Sequence, residues 1–506
     1  MHIAIVKLAA GRAVKFMGNQ NRSLSEIVRF QASERPDKVA LQSHDVSLSY
    51  AELDDLIGKC ASALVDRGVW EHETCGLSFA SPVLFLIVRL ALSRLQVCSV
   101  SLSQSASPYQ TESTVKNCGI GAVIADRDIK LSSAKCIVLS WSTILKTSNK
   151  INVSHGLKAS NFDTIAVGSG STGSPKLIGH TVEQLSAIVH RIADSLGYGS
   201  DQLVASLPGI EQVMSQRRAF ATFLRGGTFV LHTDGRKDVL EFLQEQHITS
   251  VATTVFHAEK LLEKAHRLAD PRLRSMRLFE IGSAYVSEAL IGRIKKTFTD
   301  NVLVQYGTNE CPNVCDRNTV KGPQVPSSIG HALAGTQVQI IGDGGQEQPH
   351  GHPGQIRMRA AGMALSYVND SDNSAKFFKG GWFYPGDIGK KEVDGQVIYL
   401  GRSDHMMIFN GINIYPAEIE RVMADHPAVK DVAVMPMRHP VHQHVPMCGV
   451  TLISGESADE QELIRFGKER LGARRPQFVF ILEAIPRNDL GKLRRKELAR
   501  LFSENW

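Results

Sequence analysis

A short run of small and hydroxylated residues has the composition of an anion-binding loop. It extends from Val167 to Lys176 and reads VGSGSTGSPK. Three glycines and four hydroxyl side chains within nine residues do not build a packed core. The backbone N–H groups and hydroxyls of such a run, with the ammonium group of Lys176, can surround one anion. The run therefore predicts a polyphosphate-binding loop, and the alternative interpretation is a flexible linker.

The segments on both sides of this loop alternate between strand and helix patterns. An apolar run, Thr164–Val167, precedes the loop, and the spacing of apolar residues predicts a helix over Glu183–Leu196. The same alternation extends from Leu24 to Ile281 and indicates parallel sheets wrapped by helices. After Gly322, short strands with turn signals predict a small barrel-like part.

A third region begins near Gly401 and has the pattern of a compact α+β module. We therefore expect an α/β fold with two domains. The predicted N-terminal domain, 1–400, combines parallel sheets wrapped by helices with the small barrel-like part. The predicted C-terminal domain, 401–506, is the small α+β module.

Composition excludes several classes of function. The 506 residues are 43% hydrophobic and 21% charged, as in globular proteins with more than one core. The net charge of +6 is dispersed, so we expect no nucleic-acid partner. The longest apolar stretch, Pro82–Leu92, contains Arg89 and predicts a buried helix, so we expect no membrane span. Eight cysteines without a CxxC pair indicate a reducing, cytoplasmic location, while the basic first 25 residues leave a targeting segment open.

Five later segments contain further residues that suit nucleotide chemistry. They are Glu280–Ala284, Tyr306–Glu310, Gly381–Asp387, Gly401–Asp404 and Ile485–Arg495. Together with the loop they resemble, in the same order, the motifs of the adenylate-forming superfamily of acyl-CoA synthetases, adenylation domains and luciferases. The resemblance spans roughly residues 25 to 500. It implies ATP-dependent activation of a carboxylic acid as an acyl-AMP, followed by transfer of the acyl group to a thiol.

The resemblance also implies an ATP site. Tyr306 would stack on adenine, Glu310 would bind Mg²⁺, and Asp387 would accept hydrogen bonds from the ribose hydroxyls. The implied catalytic residues are Lys492, Glu310 and Thr172. The implied ATP-binding residues are Ser169, Gly170, Ser171, Thr172, Gly173, Lys176, Gly282, Ser283, Ala284, Tyr306, Gly307, Asn309, Asp387 and Arg402.

In this superfamily the C-terminal domain rotates between the two half-reactions, so the module from 401 to 506 is expected to be mobile. The resemblance implies that Asp404 is the hinge and that Gly411 lies in the thiol tunnel, where a glycine lets a pantetheine arm pass close to the backbone. Lys492 would neutralise charge between the carboxylate and the α-phosphate. The implied cofactors are ATP, Mg²⁺ and either CoA or the phosphopantetheine of a carrier protein.

The acyl pocket that the resemblance implies consists of Gly209, Ile210, Glu211, Gln212, Phe256 and Ser283. Ser283 stands where the family has a glycine, which implies that a long straight acyl chain is disfavoured. The polar residues from Glu211 to Arg218 have two interpretations: exposed loop positions, or the lining for an acid with a polar or charged tail. Glu211 also leaves an amino-acid substrate open.

Three functions are compatible with these residues. An acyl- or aryl-CoA ligase is favoured, because the chain is expected to end where standalone ligases end. A freestanding adenylation enzyme that loads an acyl, aryl or amino acid onto a carrier protein is the second. The third is a non-catalytic nucleotide-binding homologue. Three departures from the family motifs support it: Gly168, Asn309 and Pro385.

Overall fold

The computed structural model describes residues 23–149, 160–168, 175–233, 238–265, 267–320, 325–410, 412–439, 442–488 and 493–504. Capping residues in the sequence mark the start of many of the helices. Ser49 is one example: its hydroxyl accepts a hydrogen bond from the backbone N–H of Glu52, and the Glu52 carboxylate accepts one from the N–H of Ser49. This reciprocal capping box satisfies two backbone donors that have no partner within the helix.

The helices of the described residues follow in chain order. They are α1 (Leu24–Glu34), α2 (Tyr50–Val65), α3 (Pro82–Arg94), α4 (Pro108–Asn117), α5 (Trp141–Lys146), α6 (Val182–Ser195), α7 (Val213–Leu224), α8 (Val239–Glu245), α9 (Val255–Ala265), α10 (Glu288–Thr297), α11 (Ser371–Phe377), α12 (Pro416–Ala424), α13 (Glu460–Leu471) and α14 (Arg495–Glu504). None of these described helices has both the length and the apolar character needed to cross a bilayer. The predicted buried helix is confirmed as α3.

The described strands also follow in chain order. They are β1 (Val39–Gln42), β2 (Ser47–Ser49), β3 (Thr74–Ser78), β4 (Cys98–Ser101), β5 (Ala122–Ala125), β6 (Lys135–Val138), β7 (Thr164–Gly168), β8 (Lys176–His180), β9 (Leu203–Ser206), β10 (Thr228–Val230), β11 (Ser250–Thr254), β12 (Leu278–Gly282), β13 (Val302–Tyr306), β14 (Cys315–Asn318), β15 (Ser328–Ala332), β16 (Thr336–Ile341), β17 (Gly354–Ala360), β18 (Phe378–Lys379), β19 (Trp382–Phe383), β20 (Asp387–Lys391), β21 (Val397–Arg402), β22 (Met407–Phe409), β23 (Ile412–Ile414), β24 (Val429–His439), β25 (Gln443–Leu452) and β26 (Phe478–Ile481).

The first sheet has the strand order β6-β5-β3-β4-β7-β8 and is parallel apart from the β7–β8 pair. A buried ion pair connects it to α3: Arg89 bonds to Asp163, and Ser93 donates a 2.8 Å hydrogen bond to the same carboxylate. The loop between β7 and β8 is the predicted polyphosphate-binding loop. Two antiparallel strands therefore flank this loop, and the predicted helix follows the second of them as α6.

The second sheet begins as a parallel sheet and continues as an antiparallel one. Strands β1, β10, β9, β11, β12 and β13 are parallel neighbours, whereas β14, β15, β21, β20 and β17 follow with antiparallel pairing. The change occurs between β13 and β14. The predicted change of character after Gly322 therefore corresponds to a change of strand direction within one continuous sheet.

The C-terminal module is a separate sheet of the order β23-β22-β25-β24, with β26 parallel to β25. Helices α12 and α13 pack against each other, α12 on β24 and α13 on β26. The module contacts the N-terminal part through Arg421, which donates a 3.3 Å hydrogen bond to Ser327, and through the 2.7 Å ion pair of Lys430 with Glu263. The predicted α/β fold with a small α+β C-terminal module is confirmed.

Candidate active site

Several predicted site residues lie at one edge of the large sheet, where parallel strands end. β12 ends at Gly282 and β13 ends at Tyr306. The two strands are in register, with Ile281 opposite Val304, so their ends are adjacent. Open α/β sheets bind ligands at the carboxyl ends of their strands. The fold therefore brings segments 282–284 and 306–310 to a position where a nucleotide can bind.

Asp387 is the centre of a polar cluster at this edge. Asp387 is only 6% exposed. Its carboxylate accepts a 2.5 Å hydrogen bond from the phenol of Tyr306 and a 3.2 Å hydrogen bond from the guanidinium group of Arg402. Burial raises the pKa of Asp387, whereas the bond from Tyr306 and the charge of Arg402 lower it. A carboxylate has about four acceptor positions, so this one can still accept from a ribose diol.

Arg402 connects this cluster to the predicted hinge. β20 begins with Asp387 and β21 ends with Arg402, and the two residues are paired across the antiparallel ladder. The guanidinium group also donates two hydrogen bonds to Asp404, at 3.1 and 3.2 Å, and one to the carbonyl oxygen of Pro385. Gly386 has a φ of +82°, and a Cβ there would lie 3.2 Å from the Arg402 guanidinium. A glycine is therefore required in this turn.

A second cluster joins Lys176 to Glu310 through a tyrosine that the sequence analysis missed. The phenol of Tyr367 donates a 2.8 Å hydrogen bond to Glu310, and the Lys176 ammonium group lies 3.4 Å from the same phenol oxygen. The ammonium group also lies 3.6 Å from the ring centre of Phe377. Burial lowers the pKa of Lys176, and the nearby Glu310 opposes that change. No spacing in the sequence identifies Tyr367, because its partners Glu310 and Lys176 lie 57 and 191 residues away in the chain.

The residues present fit a magnesium ion bound mainly by a polyphosphate. Oε1 of Glu310 accepts from Tyr367, while Oε2 accepts no hydrogen bond from the described residues. The described chain contains no group of three or more His, Cys, Asp or Glu side chains that could bind a metal. Mg²⁺ commonly uses one or two carboxylates, with phosphate oxygens and waters as its other ligands. Glu310 suits that type of site.

The segment Gly282–Ala284 has the backbone geometry of a glycine-rich turn despite its serine. A Cβ at Gly282 would lie 2.9 Å from the carbonyl oxygen of Gln305, so the adjacent strand excludes a side chain there. Ser283 has a φ of +69°, a left-handed conformation that is rare for serine. Its hydroxyl is exposed and lies 3.8 Å from the sulfur atom of Met214 on α7. Ser283 therefore lies between the nucleotide edge and α7.

A cavity of about 170 Å³ lies at the carboxyl ends of β9, β10 and β11. Gly209, Ile210 and Glu211 line it, whereas the predicted acyl residues Gln212, Phe256 and Ser283 are not among its lining residues. Gln212 instead precedes the first turn of α7 as its N-cap residue. The lining includes basic side chains that the sequence analysis did not single out: His232, His257, Lys260 and Lys264.

The two arginines after Glu211 are buried helical residues, so the interpretation of these two positions as an exposed loop is wrong. Both belong to α7, where Arg217 is 4% and Arg218 is 2% exposed. Arg218 bonds to Glu280 through Nε at 2.8 and 3.1 Å and to Gln305 at 2.6 Å. Local polarity indicates a loop, but the carboxylate of Glu280, 62 residues away, compensates the buried charge.

The remaining predicted positions lie as follows. Gly307 and Asn309 are exposed at the end of β13, and a Cβ at Gly307 would lie 2.5 Å from the backbone nitrogen of Asn313. The predicted residues outside the described part of the chain are Ser169, Gly170, Ser171, Thr172, Gly173, Gly411 and Lys492. The structure thus brings Tyr306, Glu310 and Asp387 to one edge of the second sheet, and Lys176 of the first sheet approaches them through Tyr367.

The sequence matches known proteins over almost its entire length. Residues 28–368 match the family described as AMP-binding enzyme, and residues 418–492 match the family described as AMP-binding enzyme C-terminal domain. The indoleacetate–CoA ligase of Aromatoleum aromaticum is 26% identical over 507 residues, which cover 95% of this chain and 98% of that protein. The 2-succinylbenzoate–CoA ligase of Bacillus subtilis is 25% identical over 478 residues, covering 92% of this chain and 96% of that protein.

A solved structure shares the fold. ATP-bound MatB from Rhodopseudomonas palustris superposes with a TM-score of 0.84 at 21% sequence identity, and the superposition covers 95% of this chain and 99% of that chain. At this identity the similarity establishes the architecture of both the N-terminal sheets and the C-terminal module.

Proposed function

The chain belongs to the AMP-binding enzyme family, and from this premise we propose that it joins a carboxylic acid to the thiol of CoA with consumption of ATP. The observation that carries the proposal is the position of Tyr306, Asp387 and Glu310 at one edge of the sheet, where an aromatic ring and two carboxylates can contact base, ribose and metal-bound phosphate. CoA ligases that are similar over nearly their whole length support thioester formation as the second half-reaction.

The chemistry requires two steps, because a free carboxylate has oxide as its leaving group and is a poor acyl donor. In the first step a carboxylate oxygen attacks the α-phosphorus of ATP, the bond to the β-phosphate oxygen breaks, and pyrophosphate leaves. In the second step the sulfur of CoA attacks the acyl carbon, AMP leaves with the former carboxylate oxygen, and the thiol proton is released. Both steps develop negative charge that positioned cations can stabilise.

The residues of the cluster have separate roles in this proposal. The Asp387 carboxylate binds the ribose hydroxyls, and the hydrogen bond from Tyr306 orients that carboxylate. Lys176 contributes a positive charge near the polyphosphate, with its ammonium group positioned by Tyr367 and Phe377. A magnesium ion on Glu310 would neutralise part of the phosphate charge. The loop residues Ser169–Gly173 and the lysine at position 492 are assigned to phosphate binding and adenylation by their motifs alone.

We assign the change between the two half-reactions to rotation of the C-terminal module about Asp404. Arg402 is the last residue of the antiparallel sheet that contains Asp387, and its guanidinium group also bonds to the Asp404 carboxylate. A rotation at Asp404 would therefore break two hydrogen bonds of Arg402 while the bond to Asp387 remains. The ion pair of Lys430 with Glu263, a contact of the module with the N-terminal part, is partly exposed, and such ion pairs are weak enough to break in this motion.

The test is pyrophosphate release from ATP with a panel of short, aryl, dicarboxylic and amino acids, each assayed with and without CoA. We expect one acid class to support release that CoA stimulates, with the acyl-CoA thioester identified by mass. An Asp387→Asn variant serves as the matched control, and we expect it to require more ATP. Release that is indifferent to CoA would instead support a carrier-loading adenylation enzyme, and no release with any acid would contradict catalysis.

A further inference from the structure

Arg217 has an incompletely bonded guanidinium group inside the protein. The residue is 4% exposed, and Nη2 lies 3.4 Å from the carbonyl oxygen of Asn309, which is a long hydrogen bond. Nε is buried and bonds to no atom of the described residues. Burying donors of a charged group without acceptors costs free energy of folding. The fold therefore buries a cation whose Nε donor has no acceptor among the described residues.

The two neighbouring arginines show what a fully bonded guanidinium looks like in the same interior. Arg218 pairs with the Glu280 carboxylate. Arg191 donates to three backbone carbonyl oxygens, those of Asn313, Ala361 and Pro312. Among the described residues, Arg217 by contrast has one hydrogen bond, the long contact to Asn309. Its unmade bonds thus distinguish it from otherwise similar residues.

The charges around Arg217 leave an excess of positive charge. The charged groups that act on it are Arg218, Arg191 and Glu310, and Arg218 is already neutralised by Glu280. Burial first, and then the two neighbouring cations, lower the pKa of Arg217 to about 9. An anionic group beside this guanidinium would both accept its free hydrogen bonds and balance its charge.

Arg217 lies on the acyl side of the site. Met214, three residues earlier and on the same face of α7, contacts Ser283. The helix starts directly after the segment that lines the cavity at the ends of β9 to β11. The side chain of Glu310 bonds to Tyr367, next to Lys176, whereas Arg217 contacts the main chain of Asn309. The phosphate-binding group and Arg217 therefore contact different parts of the segment after β13.

A second unsatisfied side chain lies close to Arg217. His180, at the end of β8, is fully buried, and neither ring nitrogen bonds to a described residue. Burial lowers the pKa of His180 to about 3, and the charge of Arg217 contributes to that shift. The ring is consequently neutral near pH 7 and can donate one N–H to an anion. Two neighbouring residues thus have free donors in the interior.

We propose that Arg217 binds a second carboxylate of the acid, so that the substrates of this enzyme are short dicarboxylic acids. A guanidinium group matches a carboxylate with two parallel hydrogen bonds, which an alcohol or an alkyl group cannot replace. The acid is short because Arg217 contacts Asn309, which is adjacent to the metal-binding Glu310 proposed above. This inference rests on the proposed acid–CoA ligase function.

The test compares three- to five-carbon dicarboxylic acids with their monomethyl esters, which retain one reacting carboxylate and lose the second charge. We expect the wild-type enzyme to prefer one diacid over its ester by at least about 100-fold in kcat/KM. In Arg217→Met this preference is lost, because kcat/KM falls far more for the diacid than for the ester. Arg217→Lys restores part of the preference, because it restores the charge without the two-pronged geometry.

Equal losses for diacid and ester in Arg217→Met would overturn the proposal, since Arg217 would then act on phosphate or on the reacting carboxylate. A wild-type preference for the ester would also overturn it. If no diacid, ester or other acid supports pyrophosphate release, the ligase function itself fails, which is a distinguishable result.

A measurement without turnover tests the same assignment. With a nonhydrolysable ATP analogue present, the diacid is expected to raise the Tm of the wild type but not that of Arg217→Met. Without ligands, Arg217→Met is expected to have a Tm equal to or above that of the wild type, because it removes an unpaired buried charge. The matched variant Arg218→Met is expected to lower Tm, because it leaves Glu280 buried and unpaired. A large loss of Tm in Arg217→Met, or a diacid shift that persists in it, would contradict the proposal.

Discussion

The phenol of Tyr306 donates a 2.5 Å hydrogen bond to the carboxylate of Asp387, which lies 81 residues later in the chain. Tyr306 is the last residue of a parallel strand, and Asp387 is the first residue of an antiparallel one. The bond therefore joins the two parts of the large sheet at the nucleotide edge. It connects two motifs that the sequence alone shows as separate segments.

Tyr306→Phe is expected to shift the pH dependence of ATP use. The bond from Tyr306 lowers the pKa of Asp387 against the effect of burial, so its removal raises that pKa further. Since the ionised carboxylate is the form that accepts from ribose, the acidic limb of kcat/KM for ATP moves to higher pH. The measurement is the pH profile of kcat/KM for ATP at saturating acid. Tyr399→Phe, which removes a neighbouring phenol with no hydrogen bond to Asp387, is the control; an equal shift in both variants would contradict the prediction.

Glu310→Gln is expected to reduce the rate of adenylation by roughly 100-fold, because an amide replaces a charged metal ligand. The Mg²⁺ concentration for half-maximal activity should rise in parallel, as measured by pyrophosphate release during a magnesium titration. The control Tyr367→Phe removes the phenol between Lys176 and Glu310 but leaves the carboxylate. We expect it to leave the magnesium dependence unchanged. A wild-type magnesium titration in Glu310→Gln would show that another group binds the metal.

Asp404→Pro is expected to separate the two half-reactions. Proline restricts φ at the position where the module is proposed to rotate, so thioester formation falls by at least about 10-fold while adenylation changes little. Adenylation is measured by acid-dependent exchange of pyrophosphate into ATP, and thioester formation by single-turnover production of acyl-CoA. Asp404→Asn loses the charge that accepts from Arg402 but has an unrestricted backbone, and we expect both half-reactions to persist. Equal loss of both half-reactions in Asp404→Pro would remove the hinge assignment.

Asp316→Asn is expected to change how stability depends on pH. Burial raises the pKa of Asp316 to about 6, above its ordinary value of 3.8, and the nearby His331 opposes this. The folded state therefore binds the proton more tightly than the unfolded state, and stability falls as pH rises from about 4 to about 6.

Asp316→Asn removes this loss of stability at high pH. The free energy of unfolding of the variant minus that of the wild type should therefore be about 1 kcal/mol higher at pH 7.5 than at pH 4. Urea titrations at the two pH values measure the difference. Asp300→Asn, a change at an exposed carboxylate, is the matched control. A relative stability of Asp316→Asn that is the same at both pH values would contradict the prediction.

Much of the fold and part of the site follow from local sequence patterns. The apolar run before the loop predicts the strand β7, and the spacing after it predicts α6 within one residue at each end. Such patterns are local because strand and helix place apolar side chains with periods of 2 and 3.6 residues. The order of the motifs similarly identifies the family, since each motif is a turn or strand end with a defined chemistry.

Local patterns fail where a distant residue changes the meaning of a side chain. Arg217 and Arg218 look like surface residues in the sequence, yet both are buried in α7. Glu280 accepts hydrogen bonds from Arg218, whereas Nε of Arg217 has no acceptor in the described chain. This difference between two adjacent arginines depends on which distant residues pack against α7, and the local sequence does not show those neighbours.

The sequence by itself therefore determined the architecture, the family and the chemical identity of the nucleotide-binding groups, because these depend on periodicity and on the order of short motifs. Only the tertiary structure decided which groups meet: Tyr306 with Asp387, and Lys176 with Glu310 through Tyr367. It also decided that Nε of Arg217 is buried without an acceptor among the described residues. The physical reason is that hydrogen bonds and charge compensation depend on distances in space between residues that are far apart in the chain.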